Sequence, residues 1–240
     1  MPATSCIYDT IYGGAKIMNG GGYLTTTDME KLINDKKWFL MKVFATLITQ
    51  LGITYYVMMN YTREKDTKKR VPKTWVLIVA SFAIIILLAM IPMNIYLKLG
   101  LFTLFSGITG VLFSSLMKYT SPKLVEMAVL GTVSIFGVFF LLGAFLLFTG
   151  VKLGLRTGMF LLASLLLLII AMIVSFFTGE YGNSYKILSG IGLLLFSAFI
   201  VYDTNKILQK DYYGDFVTAS LDYYLDIINI FIRLLSTNNR

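Results

Sequence analysis

Residues 193–235 read LLLFSAFIVYDTNKILQKDYYGDFVTASLDYYLDIINIFIRLL, two apolar stretches of membrane-crossing length joined by a short polar turn at Gly214 and Asp215. Each stretch carries an aspartate inside its apolar run, Asp203 in the first and Asp226 in the second. A charge at bilayer depth is costly and marks a functional site by default. Asp203 lies eleven residues before Gly214 and Asp226 eleven after Asp215. An antiparallel helical hairpin would therefore hold both at similar depth.

Helices pack about 8–10 Å apart, so inward-facing carboxyl groups from the two would approach each other. Two ionised carboxylates side by side in a low-dielectric setting repel, and the pair is expected to share a proton. Protonated, it closes as a hydrogen bond; ionised, it opens and offers oxygen ligands to a hard cation such as Ca²⁺. Asp222 lies one turn before Asp226 on nearly the same face and Asn229 three residues after it. A third carboxylate there would raise cation affinity. In the plainer reading, Asp203 caps polar contacts at a helix end and Asp226 bonds to a neighbouring Tyr or Asn.

Outward from this hairpin the chain stays apolar: 57% of its 240 residues are hydrophobic and only 14% charged, which cannot be arranged as one soluble core. Runs of about 20 apolar residues, enough to cross the hydrocarbon layer, fall at 38–60, 74–96, 99–117, 124–148, 157–177, 185–207 and 216–236. The expectation is an all-α, polytopic membrane protein with seven spans. The connections are too short to hold a separate soluble fold. Residues 1–37 are expected as a flexible polar tail, 38–236 as the single transmembrane domain and 237–240 as a short end. The tail lacks the apolar stretch of a cleaved signal peptide, so the first helix serves as its own insertion signal. Cys6, the single cysteine, excludes an internal disulfide framework. With no histidine, haem, zinc or an imidazole relay is not expected as a cofactor, and pH sensing falls to carboxylates.

The net charge of +8 comes from Lys and Arg in short loops beside helix ends, which suits headgroup contact and topology rather than nucleic acid. The basic cluster Arg63, Lys65, Lys68, Lys69, Arg70 and Lys73 would place the first loop in the cytoplasm, but Lys and Arg on the other side nearly balance it. Within the spans, Gly107 with Gly110, and Gly190 and Gly192 with Ser197, are expected to let helices approach closely. Pro92 is expected to kink the end of the second helix. Lys42, Lys98 and Arg233 are near enough to interfaces to snorkel. Glu126 opens the fourth helix, where the helix dipole favours an acid; a place in an ion path is its other reading.

No GxxxxGK[ST] loop is present, which argues against an ATP-driven pump. Two aspartates on adjacent membrane helices also describe intramembrane aspartyl proteases, and Tyr202-Asp203 supplies a YD pair. Their second motif, GxGD, is replaced here by Tyr224-Leu225-Asp226, so the chain is not read as an enzyme.

The stretch 195–235, with VYDT followed by YLDIIN, resembles the closing signature of the Bax-inhibitor-type, or Lifeguard, membrane proteins. KVFATLITQLGIT at 42–54 resembles that family's first helix, and PMNIYLKLGLFT at 92–103 its segment between helices two and three. The resemblance implies a seven-helix bundle with the last helix in the middle. It further implies a pH-sensitive calcium leak, in the Golgi, the endoplasmic reticulum or the plasma membrane, that lowers stored calcium and suppresses cell death. Calcium would be the transported ion, touching Asp203 and Asp226 in transit, and those two would be the pH-sensing pair. A family arginine at the end of helix two has no clear counterpart; Lys98 is the nearest cation and the candidate for that part of the latch. The family orientation places the amino terminus, and with it the loop between helices six and seven, in the cytosol. A different class of function remains open: a non-conducting protein that inhibits apoptosis by binding partner membrane proteins, including apoptosis regulators, through its helices.

Overall fold

The computed structural model describes residues 26–63, 74–117, 120–178, 183–209 and 212–238. The expectations for residues 1–25, Cys6 among them, and for the basic loop 64–73 lie outside these residues. Seven α-helices are found among the described residues, with no strand: α1 Thr26–Arg63, α2 Thr74–Met90, α3 Ile95–Met117, α4 Pro122–Phe148, α5 Leu155–Thr178, α6 Asn183–Gln209 and α7 Phe216–Asn238. A single 3₁₀ turn, Tyr212–Gly214, joins the last two.

Five of these helices carry stretches long and apolar enough to cross a membrane: Lys36–Tyr61, Ile95–Met117, Pro122–Phe148, Leu155–Ser175 and Lys186–Gln209. The protein is a multi-pass membrane protein. α2 is equally apolar but only 17 residues long. α7 is interrupted by Asp222, Asp226 and Arg233, and its position explains why that is tolerated. It packs against α1, α3, α4 and α6, so its polar groups face protein rather than lipid. α2 rests chiefly on α3, and α5 chiefly on α6. The last helix is thus the axis of the bundle, as the resemblance implies.

Tyr223 and Tyr224, adjacent on α7 and both fully buried, pin that axis to its surroundings. The Tyr223 ring stacks on Phe44 of α1, with centroids 6.1 Å apart, and meets Phe136 and Phe140 of α4 edge-on. The Tyr224 hydroxyl shares a 2.6 Å hydrogen bond with Thr54 of α1, whose hydroxyl also reaches the Ser106 carbonyl of α3 at 3.1 Å. Tyr224 is further flanked by Phe102 and Phe105 of α3. Aromatic pairs of this geometry add stabilisation beyond the area they bury.

Several sequence expectations need correction. α1 begins at Thr26, so the part of the expected flexible tail from 26 onward is helical. The second span does not run through Pro92 with a kink. α2 stops at Met90, the chain bends at Ile91, and 92–94 are not helical. Proline lacks the N–H a helix needs there and disfavours helical backbone in the residue before it. Asn94 then starts α3 by accepting the Tyr96 N–H on its side chain at 2.9 Å. Gly107 and Gly190 have open space where a Cβ would stand and mediate no close contact. Gly110 does: a Cβ would lie 2.7 Å from the Thr54 carbonyl oxygen of α1. Gly143 of α4 plays the same part toward α6, where a Cβ would lie 2.6 Å from the Val201 carbonyl oxygen.

Candidate functional site

α6 and α7 run antiparallel about the Tyr212–Gly214 turn, where Tyr212 and Gly214 both take the left-handed backbone (φ 53° and 82°) that reverses the chain tightly. This hairpin brings Asp203 and Asp226 together. They are 6% and 4% exposed, and their carboxyl groups lie within hydrogen-bonding reach of each other. Asp226 Oδ2 has no hydrogen-bond partner. An unpaired carboxyl oxygen in the interior is costly, and the neighbour of the Asp226 carboxyl is a second carboxyl. Beside the pair, the Tyr223 hydroxyl donates to Thr204 Oγ1 at 2.9 Å, joining α7 to α6 one residue after Asp203 and three before Asp226.

Toward the turn, Asp222 is engaged on one oxygen, Oδ2. It accepts a hydrogen bond from the Tyr212 hydroxyl at 2.9 Å and an ion pair from Lys206 Nζ at 3.3 Å. The ammonium also stands 4.5 Å from the centre of the Tyr212 ring, a cation–π distance. Lys206 follows Asp203 by three residues on α6 and lies on its face; it interacts electrostatically with both Asp203 and Asp222.

Nearer still to the turn, Asp215 caps α7. Its Oδ1 accepts the Thr218 N–H at 3.0 Å and its Oδ2 the Thr218 hydroxyl at 2.7 Å. Lys98 of α3 forms an ion pair with the same carboxylate and donates to Thr218 Oγ1 at 3.1 Å. Lys98 is therefore buried against α7 rather than snorkelling, and it reaches Asp215 instead of the Asp203–Asp226 pair. Its expected part in that latch is not what the structure shows. Two other candidates are also apart. Glu126 is exposed on α4, and Asn229 Nδ2 is spent on the Leu225 carbonyl at 2.7 Å.

Partial burial works to raise the Asp215 carboxyl, but the hydrogen bond from Lys98, those from Thr218 and the Lys98 charge outweigh it, holding Asp215 below the ordinary carboxylate range. A depressed carboxylate contributes stability that is present above its unfolded value, about 3.9, and is lost as pH falls through the folded value. The melting temperature of Lys98→Met in detergent is accordingly expected to lie below wild type at neutral pH. That gap should begin to narrow only below about pH 4 and close as pH falls through the lower folded value; a gap that persists unchanged in acid would assign Lys98 a packing role alone.

Three contributors escaped attention in the sequence: Lys206, Tyr212 and Thr204. The signal for Lys206 was there, since an ammonium three residues after a buried aspartate shares its helix face. On α7, Asp215, Asp222 and Asp226 are spaced i, i+7, i+11, within about 20° of one line at 100° per residue. Asp222 and Asp226 on that line meet α6, while Asp215 at its start meets Lys98 of α3. Among the described residues no three acidic side chains converge closely enough to hold a metal ion.

A helical membrane bundle whose central helix and its neighbour share a buried carboxyl pair defines a class of polytopic membrane protein with a titratable centre. Residues 36–238 match the family described as "Inhibitor of apoptosis-promoting Bax1", and the chain belongs to that family. It is 32% identical over 205 residues to Bax inhibitor 1 of Schizosaccharomyces pombe, covering 82% of this chain and 74% of that protein. With Protein LIFEGUARD 1 of Arabidopsis thaliana it shares 27% identity over 233 residues, 91% of this chain and 96% of the relative. It is similar as well to the Golgi anti-apoptotic protein of vaccinia virus strain Lister, 29% over 217 residues, 82% and 83% of the two chains. These relatives bear out the resemblance read from the closing signature.

Proposed function

We propose that this protein is a passive, pH-sensitive calcium leak of an internal membrane, gated by Asp203 and Asp226, and that its leak lowers stored calcium and suppresses cell death. The observation that carries the proposal is the buried carboxyl pair with Asp226 Oδ2 left unpartnered. With a proton between them, the two carboxyl groups hold α6 to α7. When that proton leaves, two like charges stand at contact distance in the interior and the helices separate at this depth. The separated carboxylates then present oxygens to a hard cation on its way through. The names of two relatives, Bax inhibitor 1 and Golgi anti-apoptotic protein, support cell-death suppression as the role, and the second supports the Golgi as the membrane.

The test is calcium entry into liposomes that hold the purified protein and a calcium dye, without ATP, scanned across pH. Flux is expected to rise as pH rises through the titration of the pair, because deprotonation opens the gate, and to vanish when the calcium gradient is dissipated. Strict dependence on ATP would reject the leak. No flux at any pH from folded protein would favour a non-conducting role through binding other membrane proteins.

A further inference from the structure

We propose that Lys206 and Tyr212 form a lock on the loop side of the pair, withholding Asp222 from a three-carboxylate divalent-cation site that Asp203 and Asp226 begin. This inference rests on the reading of the pair as a cation gate and adds to it a specific restraint on cation binding.

The argument starts from coordination. Calcium takes six to eight oxygens, and two carboxyl groups facing each other in a protein interior supply too few. Asp222 is placed to add to them. It precedes Asp226 by one turn, so their Cβ atoms are about 5–6 Å apart on one face of α7, and it lies close enough to Asp203 for the two to interact electrostatically. The buried, unpartnered Oδ2 of Asp226 is an oxygen already available for a cation. Yet the three do not converge, because Asp222 Oδ2 is drawn toward the turn by the Tyr212 hydroxyl and the Lys206 ammonium. Lys206 is then a tethered cation that supplies the positive charge the three aspartates would otherwise take from solution. The cluster is also placed as a mouth. The side chains of Lys206 and Asp222 are 38% and 25% exposed, against nearly complete burial of the pair. A calcium ion arriving from the loop side meets Lys206 first, and displacing it releases Asp222 to swing inward. Among the described residues, the next charged groups toward the turn, Asp215 and Lys98, neutralise each other, and Lys206 is the cation that interacts with Asp203 and Asp222.

The experiment is titration of the purified protein in detergent with calcium chloride at one fixed alkaline pH, followed by calorimetry. Lys206→Gln is expected to tighten calcium binding on the order of tenfold or more, the scale of removing one competing charge at close range. Tyr212→Phe, which deletes one of the two bonds holding Asp222 and keeps the ring, should tighten it by a smaller factor, about threefold on the same scale. Lys206→Arg retains the tethered charge and should remain near the wild-type value. Lys206→Gln combined with Asp222→Asn should lose the gain. Unchanged affinity in both Lys206→Gln and Tyr212→Phe overturns the lock, as does a double variant that binds as tightly as Lys206→Gln alone, or an absence of calcium binding in every variant. A wild-type flux that tracks the pair while Lys206→Gln leaves affinity unchanged defeats the lock only. Absence of wild-type flux defeats the leak, while the calorimetric arms still decide whether the three carboxylates bind calcium.

Discussion

Asp226→Asn is expected to flatten the pH profile of calcium flux at its closed, acidic level. Asparagine is nearly the same size as aspartic acid, is neutral at every pH, and carries an N–H₂ that can donate to the Asp203 carboxyl. It therefore imitates the protonated, hydrogen-bonded half of the pair and cannot leave that state. At the pH where the wild-type gate is open, the variant lacks the repulsion that opens it. Two unit charges about 4 Å apart at an effective dielectric near 20 interact by roughly 4 kcal/mol, so even a fraction of that energy shifts an open–closed equilibrium more than tenfold. A drop in flux of at least about tenfold at alkaline pH, with no change in acid, is the expected result. Asp203→Asn should do the same, and the double substitution little more, because either one alone removes the repulsion. A scaffold role predicts something different: flux lowered in proportion at all pH values, with the wild-type profile preserved.

The hairpin that holds this site was legible because two independent periodicities agree in it. The apolar runs give the length of two helices, and Gly214 gives the turn, where the backbone takes a left-handed conformation. Equal spacing from the turn then places Asp203 and Asp226 at one depth with no tertiary information. The direction a side chain faces is harder to read. Lys98 sits in a segment that suits snorkelling equally well. What turns it inward is Asp215, more than a hundred residues away in sequence, whose carboxylate comes within its reach only once α7 occupies the middle of the bundle. Glu126 and Asp222 illustrate the same point. Both are acids near apolar helices, but one is exposed and the other inward, and the difference lies in which helices flank α4 and α7. The glycines were half legible for the same reason. Gly110 and Gly143 touch neighbouring backbone and Gly107 and Gly190 touch nothing, although all four read alike as small residues in apolar helices. The break at Pro92, by contrast, follows from local chemistry that overrides the apolar run continuing on either side of it.

The VYDTN motif contains, two residues from Asp203, a side chain whose work is purely architectural, and Asn205→Ala is expected to be strongly destabilising. Asn205 is fully buried in α6 and binds the connection between α4 and α5. Its Nδ2 donates to the Gly143 carbonyl at 3.3 Å and to the Val151 carbonyl at 3.0 Å, and its Oδ1 accepts the Leu153 N–H at 2.8 Å. Gln209, one turn on, donates to Asn205 Oδ1 and to the Leu153 carbonyl, the latter at 3.2 Å. Residues 151–154 are not helical, and the α6 amides stand in for water in satisfying the Leu153 N–H and the Val151 and Leu153 carbonyls of this stretch. Alanine removes the partner of the Leu153 N–H and of the Val151 carbonyl and leaves a small void. The bonds to Leu153 and Val151 are only part-buried, so at about 1 kcal/mol for each hydrogen bond lost, Gln209's included, the loss is about 3–4 kcal/mol. For a chain of this size that is a fall in melting temperature of roughly 10 °C. Asn205→Asp should cost more, since it keeps the acceptor for Leu153 but turns a carboxylate toward two carbonyl oxygens. Folded Asn205→Ala protein in liposomes should nevertheless keep the wild-type pH profile, because Asp203, Asp226 and their separation are untouched. Thermal unfolding and flux measured on the same preparation would separate the two roles packed into five consecutive residues. A profile that shifted with Asn205→Ala would mean that the clamp on the α4–α5 connection also sets the spacing of the pair.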